Sequence, residues 1–142
     1  MGRQVRITTE EVTNFINRYY NKKFCWGSND CSTFIRDYLE TFTGKDLSRT
    51  VSFCWETKRQ AIKYYLSMST TLEELISSNV DIVKIENIHN ARLGDIFVLD
   101  FDGWHTAAIM YHTNRLAMFV EHVGLKLVPI ENYNTKTILR VK

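Results

Sequence analysis

The spacing of apolar residues changes near residue 80, and this change limits the folds that the chain can adopt. Before that point, apolar side chains recur every three or four residues, which is typical of amphipathic helices. After it, short β-branched and aromatic runs between polar turn residues are typical of strands. Because the helices precede the strands, we predict a single α+β domain over residues 1–142, with helices in about 8–78 and an antiparallel sheet in about 80–142.

Capping and turn residues give approximate boundaries for these elements. The run from Thr8 to Glu11 is typical of a capping box and begins a helix over about 9–21. Gly44 is a natural C-cap for a second helix. The predicted helices cover about 9–21, 31–43, 52–67 and 71–78, and the predicted strands cover 80–85, 95–100, 105–111, 117–122, 125–130 and 137–141.

The composition excludes several classes of protein. A formal net charge of +2 is too small to indicate nucleic acid binding. The sequence has no apolar run of about 18 residues, the length that a membrane-spanning helix needs, and its polar start is unlike a signal peptide. We therefore expect no membrane span, and synthesis in the cytoplasm without a signal peptide. Three cysteines, an odd number, fit a reducing compartment better than a disulfide framework.

Cys31 lies where the second helix is predicted to begin, directly after a run of good N-cap residues at 28–30. The positive end of a helix dipole stabilises a thiolate, and the first-turn N–H groups can bind an oxyanion. A small buried cysteine without chemistry is the alternative interpretation. Cys25 and Cys54 are expected to be structural. The spacing of the three cysteines lacks the close pairs typical of zinc sites, so we expect no metal and no cofactor.

His105 begins a predicted strand and is the histidine best placed to act as a base. A histidine near the end of a strand can reach a cysteine on a helix that packs across that end. The alternative is a core histidine that hydrogen-bonds a backbone carbonyl. His89 in a polar loop and His112 at a hairpin turn are expected to be solvated.

The register of the next hairpin decides which residue lies beside His105. If 113–114 form a two-residue loop, paired residue numbers sum to 227 and His105 opposes His122. If 112–114 form the loop, the sum is 226 and His105 opposes Glu121. A carboxylate both orients an imidazole and stabilises its cation. Glu121 is therefore the preferred third residue, with His122 as the alternate.

The segments around Cys31 and His105 resemble those of the NlpC-type papain-like cysteine peptidases and amidases. Residues 30–35, Asp-Cys-Ser-Thr-Phe-Ile, are similar to the family's D-C-S-G-F-[VI] motif at the start of the nucleophile helix. Thr33 replaces the usual glycine and is expected to narrow the cleft. Residues 43–50 resemble the family's loop G-x-x-L-P-R-[TS], with Ser48 in place of proline. Residues 94–97 resemble its strand motif G-D-[LI]-[VI], and residues 105–111 resemble its strand motif H-[VA]-[GA]-[IV]-[YV]. The match covers about 24–133.

The resemblance implies a papain-like fold, in which the helix that begins with the nucleophile packs on an antiparallel sheet. It implies a cysteine amidase or endopeptidase that uses Cys31, His105 and Glu121 to hydrolyse amide bonds in peptidoglycan stem peptides. The W-G-x-x-D-C form at 26–31 is most similar to short phage and prophage members, which implies partners among phage virion or tail proteins and incorporation in a virion. The alternative function is a catalytically silent structural module of a phage tail or virion.

Overall fold

The computed structural model describes residues 7–25, 30–45, 57, 59–60, 72–101 and 104–142. Most of the predicted helix 52–67, together with Ser48 and Cys54, lies outside the described residues. Seven further residues are described in the backbone but not in the side chain: Cys31, Ser32, Leu72, Leu75, Asn79, Phe101 and Trp104.

The described residues contain a mixed α+β fold with one six-stranded antiparallel sheet. The strand order is β1-β6-β2-β3-β4-β5, so β2 to β5 form a meander and β6 returns between β1 and β2. This confirms the predicted α+β class and the antiparallel sheet. The strands are β1 (Ile82–Lys84), β2 (Ile96–Phe101), β3 (Trp104–His112), β4 (Arg115–Val120), β5 (Gly124–Pro129) and β6 (Asn134–Val141).

Three helices whose bounds are described precede the sheet: α1 (Thr9–Asn17), α2 (Cys31–Thr43) and α3 (Leu72–Asn79). Helix α2 has the predicted bounds, with Asp30 as N-cap and Gly44 as a left-handed C-cap at φ 72°. Two short 3₁₀ helices follow at Ile88–Asn90 and Ile130–Asn132. No helix among the described residues is long and apolar enough to cross a membrane.

Helix α1 begins at the predicted capping box but ends earlier than predicted. Thr8 and Glu11 exchange the reciprocal cap hydrogen bonds. The helix ends at Asn17, because the N–H groups of Arg18 and Tyr19 then donate to carbonyls three residues earlier, which tightens the chain into a turn. Tyr19 stays buried in that turn, so the apolar pattern continues beyond the helix itself.

The helices cover one face of the sheet. On β3, Ala107 and Ile109 belong to the cluster that packs under the helices, whereas Ala108 and Met110 belong to a second cluster on the opposite face. This alternation is what strand pleating requires. Since His105 is two residues before Ala107, it lies on the helix-facing side of β3.

Two contacts set the direction of α2 across that face. Near the start of the helix, Phe34 stacks on Phe119 at the end of β4, with ring centroids 6.0 Å apart. One turn later, the Tyr38 hydroxyl donates to the carbonyl of Gly94, just before β2. Burial raises the pKa of the Tyr38 phenol, so it remains a neutral donor. The N-terminus of α2 therefore points to the end of the sheet where β4 ends and β3 begins.

Thr33 fixes the start of α2. Its Oγ1 accepts a hydrogen bond from the N–H of Asp30 at 2.6 Å, and its own N–H donates to Asp30 Oδ1 at 2.8 Å. Both residues are buried, so these bonds satisfy donors that water does not reach. Thr33 occupies the position at which the NlpC-type peptidases usually have glycine. Its hydroxyl takes part in the N-terminal cap of α2.

We predict that Thr33→Val lowers the free energy of unfolding by about 1 kcal/mol, because it removes half of a buried capping box without changing side-chain volume. Urea denaturation followed by circular dichroism measures this. Thr41→Val is the matched control: the Thr41 hydroxyl is exposed, so its bonds with the Asp37 carbonyl and the Arg18 guanidinium compete with water. A loss at Thr33 no larger than at Thr41 would contradict the capping role.

Candidate active site

Cys31 is the first residue of α2 and directly follows the N-cap Asp30. The backbone agrees with the predicted placement of a cysteine at a helix start, while the thiol lies outside the described side chains. Helical spacing puts position 31 in line with Phe34 and Ile35, which are buried against the sheet. The start of α2 therefore places this position on the sheet-facing side of the helix.

His105 is paired with Asp100 across the β2–β3 hairpin. Its Nε2 lies 3.2 Å from Asp100 Oδ1, and the two side chains are 40% and 38% exposed. The contact forms at the border of the fold, where solvent and a ligand have access. Because Nε2 contacts Asp100, Nδ1 is the ring nitrogen left for another partner.

The second oxygen of the Asp100 carboxylate has its own partners. Oδ2 lies 3.2 Å from Lys136 Nζ and accepts a hydrogen bond from Asn134 Nδ2 at 3.3 Å. Both partners come from β6, on the side of β2 opposite to β3. The carboxylate therefore has partners on both neighbouring strands.

The β3–β4 hairpin combines the two predicted registers. His112 pairs with Arg115 across a two-residue turn, as in the first alternative. A bulge between Met110 and His112 then shifts the ladder, so that Met110 pairs with Leu116 and the residue numbers sum to 226, as in the second alternative. Neither prediction was complete, because a bulge lets one hairpin hold both registers.

Glu121 and His122 lie in the turn after β4, so the predicted strand 117–122 had the right length but began and ended two residues too late. The strand ends because His122 takes a left-handed φ of 67° and turns the chain toward β5. The His122 side chain is 88% exposed, which is too open for packing against His105. Glu121 Oε1 lies 3.7 Å from His122 Nε2. Among the described residues, the β3–β4 pairs run from Ile109 and Ala117 to the turn, so this ladder does not reach His105. The carboxylate in contact with the imidazole is that of Asp100.

Sequence reasoning missed Asp100, although the sequence carries a signal for it. Asp102-Gly103 between two apolar runs is typical of a two-residue hairpin loop. The structure pairs Phe101 with Trp104 and hence Asp100 with His105. Counting back from that turn would have identified the pair.

The other cysteine and two of the other histidines of the described residues are at the surface. Cys25 is exposed. His89 and His112 are both exposed, as predicted for solvated side chains.

The comparisons with known proteins give a family but no activity. No curated protein matches the chain. A family model described as a domain of unknown function, DUF6950, matches residues 4–140, which is nearly the whole sequence. The chain belongs to the DUF6950 family.

Proposed function

We propose that this protein is a cysteine hydrolase of amide bonds, with Cys31 as nucleophile and His105 as general base and acid. One observation carries the proposal: the helix that begins at Cys31 points to the end of the sheet where His105 lies, on the helix-facing side. A papain-like, NlpC-type arrangement is part of the same proposal, and the antiparallel sheet with α2 on one face is compatible with it.

The chemistry follows from the roles of these groups. The Cys31 thiolate attacks the amide carbon, and the resulting oxyanion accepts hydrogen bonds from first-turn N–H groups of α2, including that of Cys31. The His105 imidazolium gives its proton to the departing nitrogen, which leaves as an amine. His105 then takes a proton from water, and the hydroxide cleaves the thioester to release the acid and restore the thiolate and imidazolium of the resting enzyme.

Asp100 orients the imidazole in this proposal. Its contact with Nε2 leaves Nδ1 for the thiol in the proposed mechanism. The sequence predicted Glu121 for this role, with His122 as the alternate. Both lie in the turn after β4, and their substitutions are compared with that of Asp100 below.

The proposed substrate is a peptidoglycan stem peptide, hydrolysed by a phage-associated enzyme that works within a virion or tail structure. The resemblance to short phage members of the NlpC-type peptidases supports this substrate class. The exposure of His105 and Asp100 is compatible with access by a bulky polymer. A catalytically silent virion module is the alternative that the experiments below separate from the hydrolase.

We predict that iodoacetamide alkylates Cys31 roughly tenfold faster than Cys25 near neutral pH, because a helix start and a nearby imidazole favour the thiolate. Mass spectrometry of quenched samples gives the rate at each cysteine, with the exposed Cys25 as reference and Cys54 followed in parallel. His105→Ala is expected to remove most of the difference and to give Cys31 the pH dependence of an ordinary thiol. Equal rates at all three cysteines of the wild type would refute the nucleophile.

We predict that Cys31→Ala abolishes the release of stem-peptide fragments from purified peptidoglycan and leaves the circular dichroism spectrum unchanged, since alanine is a strong helix former. Mass spectrometry of the digest identifies the scissile bond. Under the silent-module alternative, the wild type and Cys31→Ala are equally inert, and a phage carrying the substitution assembles and infects normally.

We predict that Asp100→Asn lowers kcat/KM by at least about tenfold, because the amide keeps the shape of the side chain but not the charge that stabilises the imidazolium. Glu121→Gln and His122→Gln are the matched comparisons and are expected to have smaller effects. If Glu121→Gln costs more than Asp100→Asn, the orienting role belongs to Glu121.

A further inference from the structure

A β-bulge in β6 brings a lysine to the candidate active site. Val98 of β2 pairs with Thr137, but the next residue of β2 pairs with Thr135, so Lys136 is the extra residue of the bulge. Strict alternation from Thr137 would send Lys136 to the opposite face of the sheet. The bulge instead leaves it on the helix-facing side, where its Nζ lies 3.2 Å from Asp100 Oδ2.

The same bulge changes the phase of the strand beyond it. Asn134 pairs with Asp100 and donates to its Oδ2, whereas an unbulged strand would direct this amide away from the helices. Bulges interrupt the hydrogen-bond ladder and commonly re-aim side chains beside active sites. Here the interruption gathers an amide and an ammonium around the carboxylate that contacts His105.

Only the Asp100 carboxylate separates the Lys136 ammonium from the His105 imidazole. Its Oδ1 contacts Nε2 of the imidazole, and its Oδ2 contacts Nζ of the lysine. An ammonium has three N–H donors, and one of them suffices for Asp100. The Lys136 side chain is 47% exposed, so the ammonium is accessible to a second anion from the solvent side.

We propose that Lys136 binds a carboxylate of the substrate beside the scissile bond, so that the protein selects amides with a free carboxylate near the reacting carbonyl. This inference rests on the proposed hydrolase function and names its substrate class. A fixed ammonium attracts such a carboxylate equally before and during the reaction, so its contribution appears in KM more than in kcat. A lysine that only held Asp100 in place would instead affect charged and neutral substrates alike.

Two alkylating agents test the charge preference without requiring turnover. Iodoacetate and iodoacetamide have the same reactive carbon and nearly the same size, and only iodoacetate carries a carboxylate. We expect Lys136→Met to lower the ratio of their rates at Cys31 by roughly three- to tenfold, the range for a partly exposed charge pair. Any effect of Lys136→Met on the thiol itself changes both rates and cancels in their ratio, and Lys136→Arg should keep most of the preference.

Lys84→Met is the matched control. Lys84 is also a strand lysine in an exposed ion pair, 3.5 Å from Glu73, but it lies on the edge strand β1. Its replacement makes the same change in net charge and should leave the ratio of rates unchanged. All rates are compared at one ionic strength, because exposed charges are screened by salt.

Peptide amides that differ only in a carboxylate or carboxamide beside the scissile bond provide the second measurement. Lys136→Met should raise KM roughly three- to tenfold more for the carboxylate member than for the carboxamide member. Equal losses for both members, or an unchanged ratio of alkylation rates, would overturn the inference and leave the hydrolase proposal standing. If Cys31 reacts like an ordinary thiol but still shows a charge preference that depends on Lys136, the role of Cys31 as nucleophile is refuted. The anion site at Lys136 is then retained.

Discussion

The packing of α2 on the sheet through Phe34 is the interaction on which the candidate site depends. The Phe34 ring lies 4.8 Å from that of Tyr19, 5.5 Å from Phe15 and 6.0 Å from Phe119, measured between centroids, and it is fully buried. Complete burial of such a side chain contributes about 1.5–3 kcal/mol. Cys31 is one helical turn before Phe34. A shift of α2 along its axis by one turn, about 5.4 Å, would therefore separate the helix start from the beginning of β3.

The polar part of the site depends on how β2 pairs with its two neighbours. The two-residue hairpin to β3 sets His105 opposite Asp100, and the bulge in β6 brings Lys136 to the other carboxylate oxygen. A one-residue slip on either side would move one of these partners to the opposite face of the sheet. The contacts of the Asp100 carboxylate therefore require the observed register of β2 with both β3 and β6.

Local signals predicted the elements and the two proposed reactive residues, while the groups around them needed tertiary information. Asp30 and Gly44 bound α2 through contacts within a few residues, so the sequence alone determined its limits. The contact between Phe34 and Phe119 joins parts of the chain that are distant in sequence, and no spacing rule predicts it. The bulge at Lys136 depends on pairing between β2 and β6, which is equally non-local. Only Asp100 was predictable in principle, from the Asp-Gly turn that precedes His105.

The exposure of the charged groups bears on why the bulge is there. A pair such as Asp100 and Lys136, each about two-fifths or more exposed, contributes about 0–1 kcal/mol to stability. Their exposure also spares the large desolvation cost of a buried pair. A bulge removes ladder hydrogen bonds, each of which contributes a comparable amount. The ion pair alone therefore does not offset the bulge by a clear margin. In the proposed function, Lys136 gains a second anionic partner when a substrate binds, so the bulge contributes to binding what it does not contribute to the stability of the fold.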